Sequence, residues 1–204
     1  GYALRLNHTF RRRNFARTII YMPVMIAGVI MGYMIDFLFQ YNNGALNDLV
    51  MLFGMEKVDW LADGGRAVLI IVLINSLQFV GISMVIYLAG LQNIPKSYYE
   101  ASDIDGAGAI SQFIHITVPL LKPAFVTSIT INLIGGLKLF DQIKALTNGG
   151  PGYESHSMST LIDATYFRAQ QAGYPASMGI VLFVFILVVS LLLLRFFNKR
   201  RFEI

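Results

Sequence analysis

The chain has 204 residues, of which 55% are hydrophobic and only 14% charged. Soluble domains carry about 25% charged residues, so this composition excludes an ordinary water-soluble domain and points to a membrane protein. The net charge of +4 is set by basic clusters near the two ends, and the lack of cysteine excludes disulfides and thiolate metal sites.

The three histidines, His8, His115 and His156, stand far apart without helical or finger spacing, so neither a metal site nor a bound cofactor is expected. At the start, Arg5, Arg11, Arg12, Arg13 and Arg17 flank the first apolar run. Basic patches of this kind can bind nucleic acid, but beside an apolar span they read as topology signals, and no nucleic-acid partner is expected. The opening GYALRL lacks an initiator Met and reads as the tail of an earlier helix, so a longer protein is expected.

The first predicted span lies within 15–40; its uncharged stretch runs from Thr18 to Ile35 and Pro23 predicts a kink. Residues 40–66 follow, with Trp60 placed as an interfacial anchor. The second span, near 66–93, is uncharged from Ala67 to Leu91, long enough to cross with some tilt. The third, near 123–143, is short in its apolar part (Pro123 to Leu137) and must continue past Lys138 and Asp141. Residues 144–175 begin with the turn-rich KALTNGGPGYE, and STLIDATYFRAQ then suits a short surface helix. The fourth span, near 175–197, holds ASMGIVLFVFILVVSLLLL, and Arg195, Lys199, Arg200 and Arg201 close the chain. The whole reads as a single transmembrane domain over 1–204, an all-α polytopic helical bundle.

Counting Lys and Arg outside the spans sets the orientation. With both ends and residues 92–122 on one side, that side collects the nine basic residues of the two end clusters together with Lys96 and Lys122. The other side holds Lys57, Arg66, Lys144 and Arg168. The first side is cytoplasmic by the positive-inside rule.

The cytoplasmic loop therefore contains Glu100, Asp103 and Asp105 between two greasy spans. Ser97 and Glu100 have the spacing of a capping box, Pro95 ends the preceding helix, and Gly106 is placed for a left-handed helix end. The reading is a helix from about Tyr98 to Asp105 and a second from about Ala109 to Thr117, stopping before Pro119. Tyr98, Tyr99, Ala101, Ile104 and Phe113 supply more apolar surface than a loop needs, which suggests docking into a groove of another protein. A capped amphipathic helix resting on the membrane surface is the plainer alternative.

The stretch YEASDIDGAG…FIHITVPLLKP resembles the coupling-loop motif of binding-protein-dependent ABC import permeases, in which E-A-A, D-G-A and I-x-L-P recur in order. Glu100, Ala101, Asp105, Gly106, Ala107, Ile116 and Pro119 match; Ser102 replaces the second Ala and Val118 the Leu. FARTIIYMPVMIAG and FDQIKALTNGGPG also resemble the family, nearest its maltose-type carbohydrate subfamily. The resemblance implies the fold of the ABC importer permease core and a role for 97–119 in a cleft of a cytoplasmic ABC ATPase dimer. It further implies a second permease subunit (paralogue or identical copy), an extracytoplasmic solute-binding protein, a carbohydrate cargo, and a bacterial or archaeal cell membrane.

Polar residues inside spans face a cavity or a partner helix. Asn75 and Gln78 share a helix face, with Phe79 beside them to meet the apolar face of a sugar ring, and Asn132 lies on the third span. These residues line a cargo path or glue helices together; both readings stand at this level. Gly135 and Gly136 permit close helix approach or make room for cargo. Lys138 and Asp141, three apart, are expected to pair.

The chain has no G-x-x-x-x-G-K-[ST] phosphate loop, so nucleotide hydrolysis is expected on a separate subunit and the chain itself is not expected to be an enzyme. An intramembrane hydrolase or transferase would need a nucleophile and base at depth. No histidine lies in a predicted span, G-x-S-x-G does not occur, and Asp36 is a lone acid at a span end. A passive channel would not explain the loop.

Overall fold

The computed structural model describes residues 13–169 and 173–198. Arg5, His8, Arg11, Arg12, Lys199, Arg200 and Arg201 lie outside the described residues. The described chain is helical, with no strand among its residues. In order it forms α1 (Arg13–Tyr21), a 3-10 turn at Met22–Met25, α2 (Gly28–Phe39), α3 (Ala45–Leu52), α4 (Gly64–Gln92), α5 (Lys96–Ile104) and α6 (Ala109–Leu120). These are followed by α7 (Lys122–Leu137), α8 (Asp141–Leu146), α9 (Met158–Ala169) and α10 (Gly173–Asn198).

Among the described residues, three helices are long and apolar enough to cross a membrane: Gly64–Gln92, Lys122–Leu146 when followed through α8, and Gly173–Phe197. The pair Asn14–Met25 and Gly28–Phe39, read as one broken span, makes a fourth. The break follows from sequence: Pro23 lacks the N–H that an α-helix needs and sits in the 3-10 turn, and Ala27 is extended at φ −59°, ψ 139°. The expected kink is thus a full interruption.

Packing divides the chain into two compact units. Among the described residues, one comprises 13–24, Phe79–Leu133 and 190–198. Its core joins Met84, Leu88 and Leu91, at helical spacing along α4, to Ile94, Leu121 and Ala124, with Tyr99 and Ile116 against them. Two residues of the acidic loop, both half-buried, therefore pack against the core.

The other unit comprises Met25–Gln78 and Ile134–Val189. Ile70, Ile71 and Ile74 of α4 pack with Ile143 and Leu146 of α8, covered by Ile35, Phe39, Trp60 and Leu61. α2 and α8 approach to backbone distance at Gly32, where a Cβ would stand 2.6 Å from Ala145 Cβ. Only glycine leaves room for that crossing.

Two expectations are corrected here. Lys138 and Asp141 do not pair, because the helix breaks at 138–140 and puts them on separate elements. The ion pair of this region is instead Lys144 Nζ to Asp163 Oδ2 at 2.7 Å. Trp60 is held in place by its neighbours: its ring meets Phe39 edge-on, 6.0 Å between centroids, and its indole N–H donates to Asn47 Oδ1 at 3.1 Å. Gly135 and Gly136 mark no close helix crossing among the described residues, since none of these comes within 4 Å of where either Cβ would be, which leaves the alternative of room for cargo.

Asn47, 1% exposed, ties the segment after α2 to the one before α4. Its two Nδ2 hydrogens are shared among the carbonyls of Gln40, Tyr41 and Val58, and its Oδ1 accepts from Val58 N–H and the Trp60 indole. One buried amide thus gathers the polar groups of four residues from both segments.

Candidate functional site

The loop between α4 and α7 is a closed helical hairpin. Pro95, at φ −60° and ψ 136°, stands just before α5, so Lys96 is the first helical residue and Ser97 falls inside the first turn. The expected Ser97–Glu100 capping box does not form, because no side chain caps this end. Glu100 is exposed and free of hydrogen bonds and ion pairs among the described residues.

The far end of α5 closes as the sequence suggests. Gly106 takes φ +74°. Ala107 N–H donates to Ser102 O at 2.9 Å and Gly106 N–H to Asp103 O at 3.1 Å. This nested pair is the Schellman arrangement, which consumes the last free carbonyls of a helix and fixes the exit of the chain. Ser102, where the motif has Ala, turns its hydroxyl back onto Tyr99 O at 2.8 Å, so the departure costs nothing outward.

Two side-chain bonds hold the hairpin shut. Gln112 Nε2 donates to Asp103 Oδ1 at 2.5 Å, and Tyr99 Oη shares a hydrogen bond with Thr117 Oγ1 at 2.9 Å. Tyr99 therefore holds the hairpin to the core and is withdrawn from the docking set.

α6 does not stop before Pro119, as expected, but runs through it to Leu120. Residues Phe113–Thr117 widen into a π turn, with Val118 N–H reaching back to Phe113 O. In a regular helix the Pro119 ring would press on the carbonyl four residues earlier; the wide turn accommodates it.

The outward face of the hairpin is apolar with an acidic edge. Ile104 is 88% exposed and Ile110 78%, joined by Ile114, Tyr98 and Phe113. Around them lie Glu100, Ala101, Asp105 and Gly106, all exposed. Ile110 and Ile114 had not been singled out, although their four-residue spacing is the helical signal that could have found them. Ala107 and Ile116 are half-buried, so these motif residues position the loop, and Pro119 shapes it. Apolar surface this exposed, on a scaffold fixed at four points, suits contact with a protein groove.

The polar residues of the spans divide by what they already bond. Gln78, 2% exposed, donates to Ile26 O at 2.7 Å and accepts from Gln142 Nε2. That carbonyl is freed by the break between α1 and α2, and in apolar surroundings it must find a partner. Gln78 is occupied in sealing the break. Asn132 on α7 donates to Ser83 Oγ on α4 at 2.9 Å and to Ser128 O at 2.7 Å, a bond of the helix-joining kind. Phe79 lies one turn before Ser83 and half-buried, on the same face of α4. Gly136 follows Asn132 by one turn on α7 and is exposed. Asn75 differs: half-buried, its amide makes no hydrogen bond among the described residues. An unclaimed amide on a span can meet a ligand hydroxyl without breaking an existing bond. Gln142, also 2% exposed, was missed; its Oε1 has no partner among the described residues.

No group of three or more His, Asp or Glu side chains gathers closely enough to hold a metal ion among the described residues.

Residues 1–203 match the family described as "Binding-protein-dependent transport system inner membrane component". The probable ABC transporter permease protein YurN of Bacillus subtilis is 33% identical over 191 residues, covering 93% of this chain and 65% of that protein. The arabinooligosaccharides transport system permease protein AraP of the same organism is 34% identical, over 90% of this chain and 59% of its own. The trehalose/maltose transport system permease protein MalF of Thermococcus litoralis is 32% identical, over 98% and 68%. The chain thus spans about two thirds or less of the length of these curated relatives. Among solved structures, a bacterial ABC transporter involved in the import of the acidic polysaccharide alginate aligns over 99% of this chain and 71% of its own, with a TM-score of 0.85 and 25% identity.

Proposed function

We propose, since the chain belongs to the family of binding-protein-dependent transport system inner membrane components, that it is a permease subunit of an ATP-driven carbohydrate importer. The observation that carries the reading is the α5–α6 hairpin: a rigid, outward-facing apolar patch with an acidic edge, set between two spans. A passive pore has no use for it. It is the shape required of a part that must transmit the motion of a separate ATPase, which binds and hydrolyses the nucleotide. In this reading Glu100, Ala101, Asp105 and Gly106 touch that ATPase, while Ser102, Ala107, Ile116 and Pro119 keep the hairpin in shape.

The relatives named for arabinooligosaccharides and for trehalose and maltose support an oligosaccharide cargo. The cargo passes between this chain and a second permease subunit after delivery by an extracytoplasmic binding protein. The test is reconstitution: the full transporter in vesicles should take up oligosaccharide only when ATPase, ATP inside and binding protein are all supplied. Uptake without ATP would overturn the reading.

Asn75 is the strongest cargo contact in this scheme. Asn75→Leu should leave the complex assembled and weaken transport by about 1–3 kcal/mol, the usual cost of an unpaired polar partner. That is roughly a five- to hundredfold loss in uptake efficiency. Gln78→Leu and Asn132→Leu should instead reduce the yield of folded complex. Unchanged sugar kinetics in Asn75→Leu would return Asn75 to helix packing.

Orientation follows the basic residues, with the hairpin and the carboxyl end cytoplasmic. The 204 residues contain no cysteine, so none of them competes with an introduced one. A cysteine at Asn42 or Tyr153, both exposed, should react with an impermeant maleimide from outside intact cells, and one at Ala109 only after permeabilisation. The reverse pattern would invert the topology.

A further inference from the structure

Between α2 and α4 the chain makes an excursion whose tip is apolar and bare. Leu49–Met55 carries no charged side chain, and within it Leu52 is 81%, Phe53 79% and Met55 58% exposed. In water such a cluster gains nothing, and a free loop would fold these side chains away. This loop cannot, because its other side is bolted down by the five bonds of Asn47.

Those bonds also fix its height. Gln40 and Tyr41 follow directly on Phe39, the end of one apolar helix, and Val58 and Trp60 lie just before Gly64, the start of the next. α3 is therefore pinned level with two helix ends, where hydrocarbon gives way to headgroups. Lys57 Nζ stands 5.9 Å from the Tyr41 ring centroid beside it, the aromatic and basic pairing that suits such a boundary. The exposed side chains of the same unit continue in kind: Leu69, Val72 and Leu73 on α4, and Ile30 and Phe37 on α2. Side chains 49–55 carry no polar group that would be left unsatisfied among acyl chains.

We propose that the Leu49–Met55 turn is seated in the bilayer itself, with Leu52 and Phe53 among the acyl chains at the lipid boundary next to the ends of α2 and α4. Asp48 and Glu56 flank the turn and remain at headgroup level. The turn acts as a float that holds the non-cytoplasmic end of α4 at fixed depth. The inference rests on the membrane-permease reading.

The test uses the complete transporter in phosphatidylcholine–phosphatidylglycerol nanodiscs, spin-labelled at Phe53→Cys. Val184→Cys, midway along α10, serves as the lipid reference, and Asn42→Cys as the water reference. The ratio of collisions with oxygen to collisions with a soluble nickel chelate should be several-fold higher at Phe53 than at Asn42 and close to that at Val184. A ratio like that of Asn42 overturns the proposal, as does a label shielded from both quenchers, which would mean that protein covers the turn. A water-like ratio at Val184 as well would overturn the membrane reading on which it stands.

Discussion

Asn47→Leu is expected to unfasten the segment from Gln40 to Trp60 while the spans remain. The amide shares its two hydrogens among three carbonyls and accepts from two N–H groups at a site 1% exposed. Leucine fills the volume but leaves Val58 N–H and the Trp60 indole N–H without an acceptor. A stranded buried group costs about 1–3 kcal/mol, and these two N–H groups are part-buried, so the loss is on the order of 2–4 kcal/mol. Trp60 is the only tryptophan of the 204 residues, so their tryptophan emission reads this site. The variant should show a red-shifted maximum and cleavage in 40–60 by limited proteolysis. Asn47→Asp, which keeps the acceptor oxygen for both N–H groups, should fall between it and the parent. Native emission and native protease resistance in Asn47→Leu would show that the five bonds do not hold the segment.

The second large effect concerns Gly106. At φ +74° a β-branched side chain meets its own backbone, at a cost of about 1–2 kcal/mol. Nothing else stands within 4 Å of its Cβ position among the described residues, so the penalty is purely conformational. Gly106→Val should therefore permit insertion and folding yet open the Schellman closure and redirect α6. With the outward apolar face misaligned, uptake should fall at least tenfold while the spans assemble normally. ATPase activity in the complex should lose its response to the loaded binding protein. Gly106→Asn is the control, since Asn tolerates the left-handed region, and should keep most activity. Wild-type uptake and hydrolysis in Gly106→Val would leave the hairpin as a surface loop with no role in coupling.

The spans and the closure at Gly106 were legible in sequence because both are local: uncharged length fixes the first, and a glycine after an amphipathic run fixes the second. The α1–α2 break was half legible, since Pro23 announced it but the partner that seals it, Gln78, lies 52 residues from Ile26. The Asn47 hub was hidden for the same reason, its partners standing up to 13 residues away with nothing in NNGALND to mark one asparagine above another. The capping box failed on a two-residue shift: Pro95 took the position before the helix, which placed Ser97 within it. Tyr99 misled because an aromatic in a polar loop looks outward until its hydroxyl finds Thr117. For the cargo residues, sequence identified polar groups on the spans, but only bonding distinguishes the committed Gln78 and Asn132 from the unclaimed Asn75.

The π turn at Phe113–Thr117 has a consequence for phase. An α-helix advances about 100° per residue, so one surplus residue in a turn rotates all that follows by that amount relative to what precedes. Ile110 and the start of α7 are therefore not on the azimuths that a continuous helix would assign them. A chain shorter by one residue within 113–117 would regain the regular helix and bring Pro119 against the carbonyl four residues before it. Its outward isoleucines would then point a quarter-turn or more aside from their present direction. The aim of the docking face is thus set by residue count along α6 as much as by residue type.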